Sequence, residues 1–244
     1  MKIKAIACEV FARELSYATA LSPHVWDIKF MSFGLHDTPE KLRAAIQEEI
    51  DAAEGSDYEF IVLGYGLCSR GTAELKGRSI PLIVPRAHDC ITLLLGSRAR
   101  YAQEFAAHPG TYYYSAGWIE RKVGEVSQGF VDAHDRRTEE RYAEYVEKYG
   151  EDNAKFLIEQ ETQWLANYTR ATFINMGLGD IQEYRRFTQT VASDHGWNYE
   201  ETEGDMSMIS RLACGDWDDD EFLRVEPGKT IVESFDELVL RSTG

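Results

Sequence analysis

The sequence predicts an α/β protein with an open, mainly parallel sheet and flanking helices. Strand-like and helix-like segments alternate through the first half of the chain, which is the pattern of such a sheet. The apolar run at 60–64 is continuous, as expected of a central parallel strand covered by helices on both faces. A chain of 244 residues, 43% of them hydrophobic, is also long enough to bury a large core.

The elements of the first half follow in order. Strands are predicted at 2–7, 25–33, 60–64 and 80–84, because these segments alternate or are rich in β-branched and aromatic residues. Helices are predicted at 9–19, at 39–53 and from residue 91 onward. Thr38 is the predicted N-cap of the second helix, with Pro39 in its first position, and Asp89 is the predicted cap of the third.

The second half predicts a further α/β portion. Aromatic and aliphatic residues at helical spacing over 137–167 predict two helices with a break near Gly150. A strand at 171–175, a helix at 180–193 and a strand at 197–201 follow. We therefore expect a core over 1–123 and a helical and α/β portion over 124–244 that packs on it, unless the two form one continuous domain.

Charge and composition exclude several classes of protein. The chain has 26 Lys and Arg against 42 Asp and Glu, a net charge of −16, which argues against nucleic acid or an anionic membrane surface as the main partner. No apolar run is long enough to span a bilayer, and the amino terminus has no cleavable apolar segment. Four dispersed cysteines do not make a disulfide framework. We expect a soluble cytoplasmic protein.

Reactive side chains follow four successive predicted strands. Cys8 closes the first strand, His36 follows the second, Cys68 follows the third, and His88 and Cys90 follow the fourth. The carboxyl ends of parallel strands meet at one edge of a sheet, where ligands bind in open α/β folds. The sequence therefore predicts a crevice lined by thiol and imidazole groups at this edge.

A metal held by these groups is the leading chemical interpretation. Zinc takes four Cys or His ligands in structural sites and three in catalytic ones, so Cys8, Cys68 and Cys90 with either His36 or His88 would suffice. A [4Fe-4S] cluster with three Cys ligands and one open iron also fits. The sequence lacks a compact Cys-x2-Cys signature for either. Cys214 follows a short helical segment and is expected to be packing.

Positive potential should favour the thiolate form of these cysteines. Cys90 is predicted in the first turn of a helix, where the helix dipole lowers a thiol pKa, and Arg70 and Arg86 are close in sequence. Gly64, Gly66 and Arg86 are the candidate cofactor-binding residues, because a glycine-rich turn after a strand can cradle an anion. The turn is neither a Walker A loop nor a GxGxxG fingerprint, and its glycines can instead let Cys68 reach the crevice.

At these residues the sequence resembles a bacterial and archaeal family, the domain of unknown function DUF1638. The stretches that carry the resemblance are 7–10, 35–42, 63–68, 85–92, 112–119 and 215–218, and Cys8, Cys68 and Cys90 fall on its motifs. The resemblance implies an association with corrinoid-dependent methyl transfer, and hence a corrinoid protein or methyltransferase as partner. It implies no settled activity.

Three functional hypotheses follow from the sequence. The first is a metal-thiolate protein whose open coordination position activates a thiol, water or methyl-bearing substrate. The second is a metal-free enzyme that uses one thiolate as nucleophile, or two thiols as an acid and base across the crevice as racemases do. The third is a non-catalytic accessory that inserts a metal or docks a partner of a corrinoid methyltransferase system.

Overall fold

A computed structural model describes residues 1–123 and 133–243, with the backbone alone at 36, 37, 122, 123, 133–140, 161, 162 and 164. The strands are β1 (Lys2–Cys8), β2 (Val25–Met31), β3 (Phe60–Gly64), β4 (Leu82–Pro85), β5 (Thr111–Ser115), β6 (Arg170–Asn175), β7 (Asn198–Glu203), β8 (Phe222–Val225), β9 (Thr230–Glu233) and β10 (Leu240–Thr243). The helices are α1 (Ala12–Ala20), α2 (Pro39–Asp51), α3 (Cys90–Leu94), α4 (Arg98–Ala107), α5 (Ala116–Val123), α6 (Ala133–Tyr149), α7 (Glu151–Thr162), α8 (Ile181–His195) and α9 (Ser207–Cys214). Short 3-10 helices cover Glu9–Phe11, Phe33–Asp37 and Gln163–Asn167.

The chain forms two compact units. The first comprises Met1–Ala106, Met176–Gly179 and Glu203–Gly244, and the second comprises Ala107–Asn175 and Asp180–Thr202. The expected division after residue 123 falls where the description is interrupted, and it stays a prediction. No helix in the described ranges combines the length and the apolar character needed to cross a membrane.

The first unit is built on a five-stranded sheet in the order β2-β1-β3-β4-β8. β1 pairs in parallel with both β2 and β3, and β3 pairs in parallel with β4. β8, which the sequence did not predict, closes the edge antiparallel to β4. The predicted fold class, an open and mainly parallel sheet with flanking helices, is therefore confirmed.

Helix α2 shows how the sequence places a helix on this sheet. Leu42, Ile46 and Ile50 recur at every fourth position and are all buried against the core that the strands contribute. Burial of each such side chain stabilises the fold by about 1.5–3 kcal/mol. The helix begins at Pro39 as predicted, but the Thr38 side chain makes no capping hydrogen bond. The carbonyl oxygen of Thr38 instead accepts from the N–H groups of Lys41 and Leu42, so the turn is closed by backbone alone.

The second unit has its own three-stranded sheet, in the order β5-β6-β7, with β5 and β6 parallel. Its core is aromatic and includes Tyr114, Phe173 and Phe187, all buried. The predicted break between two helices is confirmed, because Gly150 lies between α6 and α7 with φ +81°. A non-glycine residue would be strained in this left-handed conformation.

Candidate functional site

Three cysteines lie at one edge of the first unit's sheet. β1, β3 and β4 are neighbours, and Cys8 ends β1 while Cys68 and Cys90 lie on the segments that follow β3 and β4. Each of the three thiols interacts electrostatically with at least one other, and Cys90 interacts with both. Cys8 and Cys68 also pack against the same hydrophobic core. We call Cys8, Cys68 and Cys90 the thiol cluster.

Two glycines allow the segment after β3 to lie against its neighbours. A Cβ atom at Gly64 would lie 2.5 Å from the Cβ of Ala7 on β1, and one at Gly66 would lie 2.6 Å from the carbonyl oxygen of Ala87. The backbone N–H of Leu67 donates to that same oxygen at 2.7 Å. Only glycine fits such close backbone approaches. Gly64 therefore lets the end of β3 lie close to β1, and Gly66 lets the chain after β3 lie alongside the chain after β4.

Cys68 begins a left-handed turn. Cys68, Ser69 and Arg70 have φ angles of 46°, 53° and 71°, a conformation that costs a non-glycine residue about 1–2 kcal/mol. Contacts outside the turn hold it in place. The Arg70 guanidinium lies 3.0 Å from the Glu233 carboxylate, and Arg43 donates to the carbonyl oxygen of Arg70 at 3.1 Å. Strain of this kind gathers at functional sites, where the surrounding structure enforces it.

Asp89 positions Cys90 at the start of α3. The Asp89 carboxylate accepts from the N–H groups of Ile91 at 3.0 Å and Thr92 at 3.4 Å, which confirms the predicted cap. Its second oxygen accepts from the Tyr101 hydroxyl at 3.5 Å. Cys90 thus occupies the first position of a helix that Asp89 caps.

The expected lowering of the thiol pKa is wrong for this structure. Burial, and then the negative charge of Asp89, raise the pKa of Cys68 to about 12 and that of Cys90 well above its ordinary value. Helix α3 has only five residues, so its dipole offsets little of this. Arg70 pairs with Glu233, and Arg86 donates to backbone carbonyl groups of Asp219 and Leu240. Both thiols are therefore protonated at neutral pH.

A buried hydroxyl group lies beside the thiol cluster. Tyr65 is 2% exposed, and its hydroxyl has no hydrogen-bond partner among the described residues. Burial raises the pKa of this phenol far above its usual range, and Cys8 and Cys68 add to the rise, which places the ring close to both thiols. An unpaired buried hydroxyl costs about 1–3 kcal/mol, which a hydrogen bond to a bound molecule or to water would offset.

The other candidate residues are placed more widely. His88 is exposed and lines a cavity described below, while the side chain of His36 lies outside the described part of the chain. Cys214 is exposed, and its carbonyl oxygen lies 3.1 Å from Nε2 of His24, just before β2 begins. It is therefore at the amino end of the parallel strands, away from the thiol cluster. The three candidate cofactor-binding residues contact the protein itself. Gly64 lies against Ala7, Gly66 lies against Ala87, and the Arg86 side chain donates to the carbonyl oxygen of Asp219.

A cavity of about 830 Å³ adjoins the α3 segment of the first unit. It is lined by His88, Thr92, Arg98, Tyr101, Phe105 and Glu221, with further contributions from Ala99, Ala102, Glu237 and Val239. Sequence reasoning missed it because these residues come from four separate segments. Glu221 follows four other acidic residues among positions 216–220, a pattern typical of a solvated turn, and it gives no sign that one oxygen of its carboxyl group is buried.

Sulfur donors of this kind suit zinc, iron–sulfur clusters and other soft metal centres. Within the part of the chain whose side chains are described, no group of three or more His, Cys, Asp or Glu residues is already arranged to hold a metal ion. The thiol cluster is therefore a set of neighbouring donors, and the side chains would have to turn toward a common point to close on an ion.

Comparison with known proteins identifies a family. Residues 30–213 match the family described as "Protein of unknown function (DUF1638)", a range that includes Cys68 and Cys90 and more than half of the chain. No curated protein and no solved structure matches the chain. The chain therefore belongs to the DUF1638 family.

Proposed function

We propose that this DUF1638 protein is a metal-thiolate protein in which Cys8, Cys68 and Cys90 supply the sulfur ligands. The observation that carries the proposal is the position of three free cysteines at or just after the carboxyl ends of three adjacent parallel strands, on one edge of the sheet. Zinc is the first choice of metal and a [4Fe-4S] cluster the second, since both accept three cysteine ligands. His88 or His36 would complete the set.

Two features of the site support this proposal. A divalent cation deprotonates its thiol ligands, so it would offset the burial and mutual repulsion that raise the pKa of Cys68 and Cys90 in the metal-free protein. The Tyr65 hydroxyl, buried and without a described partner, would become a hydrogen-bond donor to a sulfur ligand or to a molecule bound there. When bound with an open position, zinc would supply Lewis-acid chemistry to a substrate.

The metal-free cysteine enzyme is less well supported. A nucleophilic cysteine needs its thiolate form, which requires a lowered pKa or an adjacent base. Cys68 and Cys90 have raised pKa values, and after burial the largest cause for both is the carboxylate of Asp89. Negative charge at that position opposes ionisation of either thiol.

The family resemblance extends the proposal to a role in corrinoid-linked methyl metabolism, with a corrinoid protein or methyltransferase as partner. The net charge of −16 suits a protein surface rather than nucleic acid. We propose a cytoplasmic location, because all four cysteines are free thiols and such thiols persist in reducing compartments.

Metal content measured on protein purified without oxygen tests the proposal. We expect one zinc ion per chain without visible absorbance, or a brown protein that contains iron and sulfide. Cys68→Ser should lower the stoichiometry sharply, whereas Cys214→Ser, the matched control at the opposite end of the strands, should leave it unchanged.

Calorimetric zinc titration in buffers of different ionisation enthalpy adds a readout for the ligands themselves. Three thiol ligands should release about three protons per ion, and Cys68→Ser about one fewer, because thiols bind as thiolates. A metal stoichiometry or proton release that Cys68→Ser does not change would contradict the proposal. So would the lack of any metal in anaerobic protein that also fails to bind added zinc or to accept a reconstituted cluster.

A further inference from the structure

The cavity beside α3 has one apolar wall. Tyr101 and Phe105 lie one helical turn apart on α4, with ring centroids 6.2 Å apart and planes inclined by 29°. Phe105 is 54% exposed although it is a large apolar side chain. Ala99 and Ala102 lie on the same helix and line the same space. This wall offers flat apolar area to the hydrocarbon part of a ligand.

The polar wall contains buried atoms that lack partners in the described structure. Thr92 is fully buried, and its hydroxyl has no hydrogen-bond partner among the described residues. Nε of Arg98 is buried and finds no partner in the described part of the chain, although the other guanidinium nitrogens donate to the carbonyl groups of Asp220 and Glu237. Oε2 of Glu221 is also buried, and no described residue donates to it. Each such atom costs free energy unless a ligand or water satisfies it.

These unpartnered groups differ in charge and in hydrogen-bonding role. Arg98 and Thr92 offer hydrogen-bond donors, and Arg98 carries a permanent positive charge. Glu221 offers a carboxylate acceptor, and Glu237 adds a second, exposed carboxylate to the lining. The charge of Arg98 acts on Glu221, so the two groups are close. A complementary ligand would carry an anionic and a cationic group near one another, beside an apolar body.

We propose that this cavity binds an α-amino acid with an apolar side chain, or a closely similar zwitterion. The ligand carboxylate would accept from Arg98 and Thr92, its ammonium group would donate to Glu221, and its side chain would lie against Tyr101 and Phe105. A volume of about 830 Å³ is ample for such a molecule. The proposal goes beyond the metal-thiolate function and needs no metal, since none of these contacts involves the thiol cluster.

Isothermal titration calorimetry on the full chain tests the amino-acid proposal. The ligands include analogues that carry only one of the two charges, and EDTA is present to remove metal ions. The ligands are L-phenylalanine, L-leucine, 3-phenylpropanoate (which lacks the ammonium group) and 2-phenylethylamine (which lacks the carboxylate). We expect both amino acids to bind and each phenyl analogue to bind at least about tenfold more weakly than phenylalanine, because it leaves a buried charged group unpaired. An analogue that binds within threefold of phenylalanine overturns the zwitterion assignment, as does failure of both amino acids to bind at millimolar concentration.

Three variants test the assigned contacts. Glu221→Gln should weaken the binding of phenylalanine about tenfold, because the ligand ammonium group loses its carboxylate partner. The binding of 3-phenylpropanoate should stay unchanged or become tighter. Thr92→Val should weaken the binding of phenylalanine and of 3-phenylpropanoate severalfold and leave the binding of 2-phenylethylamine unchanged. The substitution breaks no hydrogen bond of the Thr92 hydroxyl to a described residue. Ala102→Trp should abolish binding by filling the cavity. Arg98 is left intact, because its removal would also release two backbone segments.

Ala106→Trp is the matched control for the filled cavity. Ala106 lies on the same helix as Ala102 and is also exposed, but it does not line the cavity. Binding that survives in Ala102→Trp, or that falls equally in Ala106→Trp, places the ligand elsewhere and overturns the proposal. The proposal is also overturned if Glu221→Gln weakens the binding of phenylalanine and of 3-phenylpropanoate equally.

Discussion

The backbone N–H of Cys68 donates to the carbonyl oxygen of His88 at 2.9 Å. This bond ties the left-handed turn after β3 to the segment that starts α3, two residues before Cys90. Because both cysteines depend on the same backbone contact, a change that separates the two segments should disturb the thiol cluster as a whole. The cavity is coupled to the same segment through His88 and Thr92.

Gly66→Ala should destabilise the first unit by about 2–3 kcal/mol, because its Cβ would overlap the carbonyl oxygen of Ala87 and approach the N–H of Asp89. Urea denaturation measures the loss of stability, and zinc titration should show weaker binding. Gly34→Ala is the control, since no atom of the described residues lies within 4 Å of a Cβ there. Equal stability of the two variants would contradict the close approach.

Ser69→Gly should stabilise the protein by about 0.5–1 kcal/mol, because glycine adopts the left-handed conformation without the steric cost that serine bears. Ser16→Gly in α1 is the matched control at an exposed serine, where glycine should cost about 0.5 kcal/mol because it lowers the helix propensity. Thermal or urea denaturation of both variants gives the comparison. A loss of stability in Ser69→Gly would show that the turn is not strained as described.

Alkylation of the metal-free protein by iodoacetamide should be selective. The exposed Cys214 should react at neutral pH, while Cys68 and Cys90 should react slowly. Since the pKa of Cys68 is raised to about 12, its thiolate fraction and its rate of modification should rise about tenfold per pH unit through the mildly alkaline range. Peptide mass spectrometry resolves the sites. Rapid modification of Cys68 at neutral pH would instead favour the metal-free nucleophile.

Asp89→Asn should speed alkylation of Cys68 and Cys90 without unfolding α3. The amide oxygen can still accept from Ile91 and Thr92, so the cap is retained. Removal of the negative charge should lower the pKa of both thiols, because that charge contributes to the rise in each. Asp180→Asn, at the N-cap of α8, is the control. Unchanged rates in Asp89→Asn would show that burial alone sets the reactivity of these thiols.

Local patterns predicted much of the fold. The apolar run at 60–64 became β3, Asp89 caps α3, and the aromatic pattern over 137–167 became two helices that meet at Gly150. β8 was not predicted because it has only four residues, which follow an acidic turn and are too few to show the alternation of apolar and polar residues typical of a strand. It is a strand only because β4 offers it an edge, which is a long-range contact.

The sequence by itself predicted that three cysteines would follow parallel strands and lie at one edge of the sheet, because alternating strands and helices favour parallel pairing. That β1, β3 and β4 are neighbours was decided by the tertiary structure. The roles of the cysteines as metal ligands stay a prediction. Only the tertiary structure decided the ionisation of Cys68 and Cys90, since burial and the position of Asp89 outweigh a one-turn helix and the two nearby arginines. Desolvation depends on everything packed around a group, so no local pattern reveals it. The cavity could not be predicted from local patterns either, because its walls come from separate segments that meet only after the chain has folded.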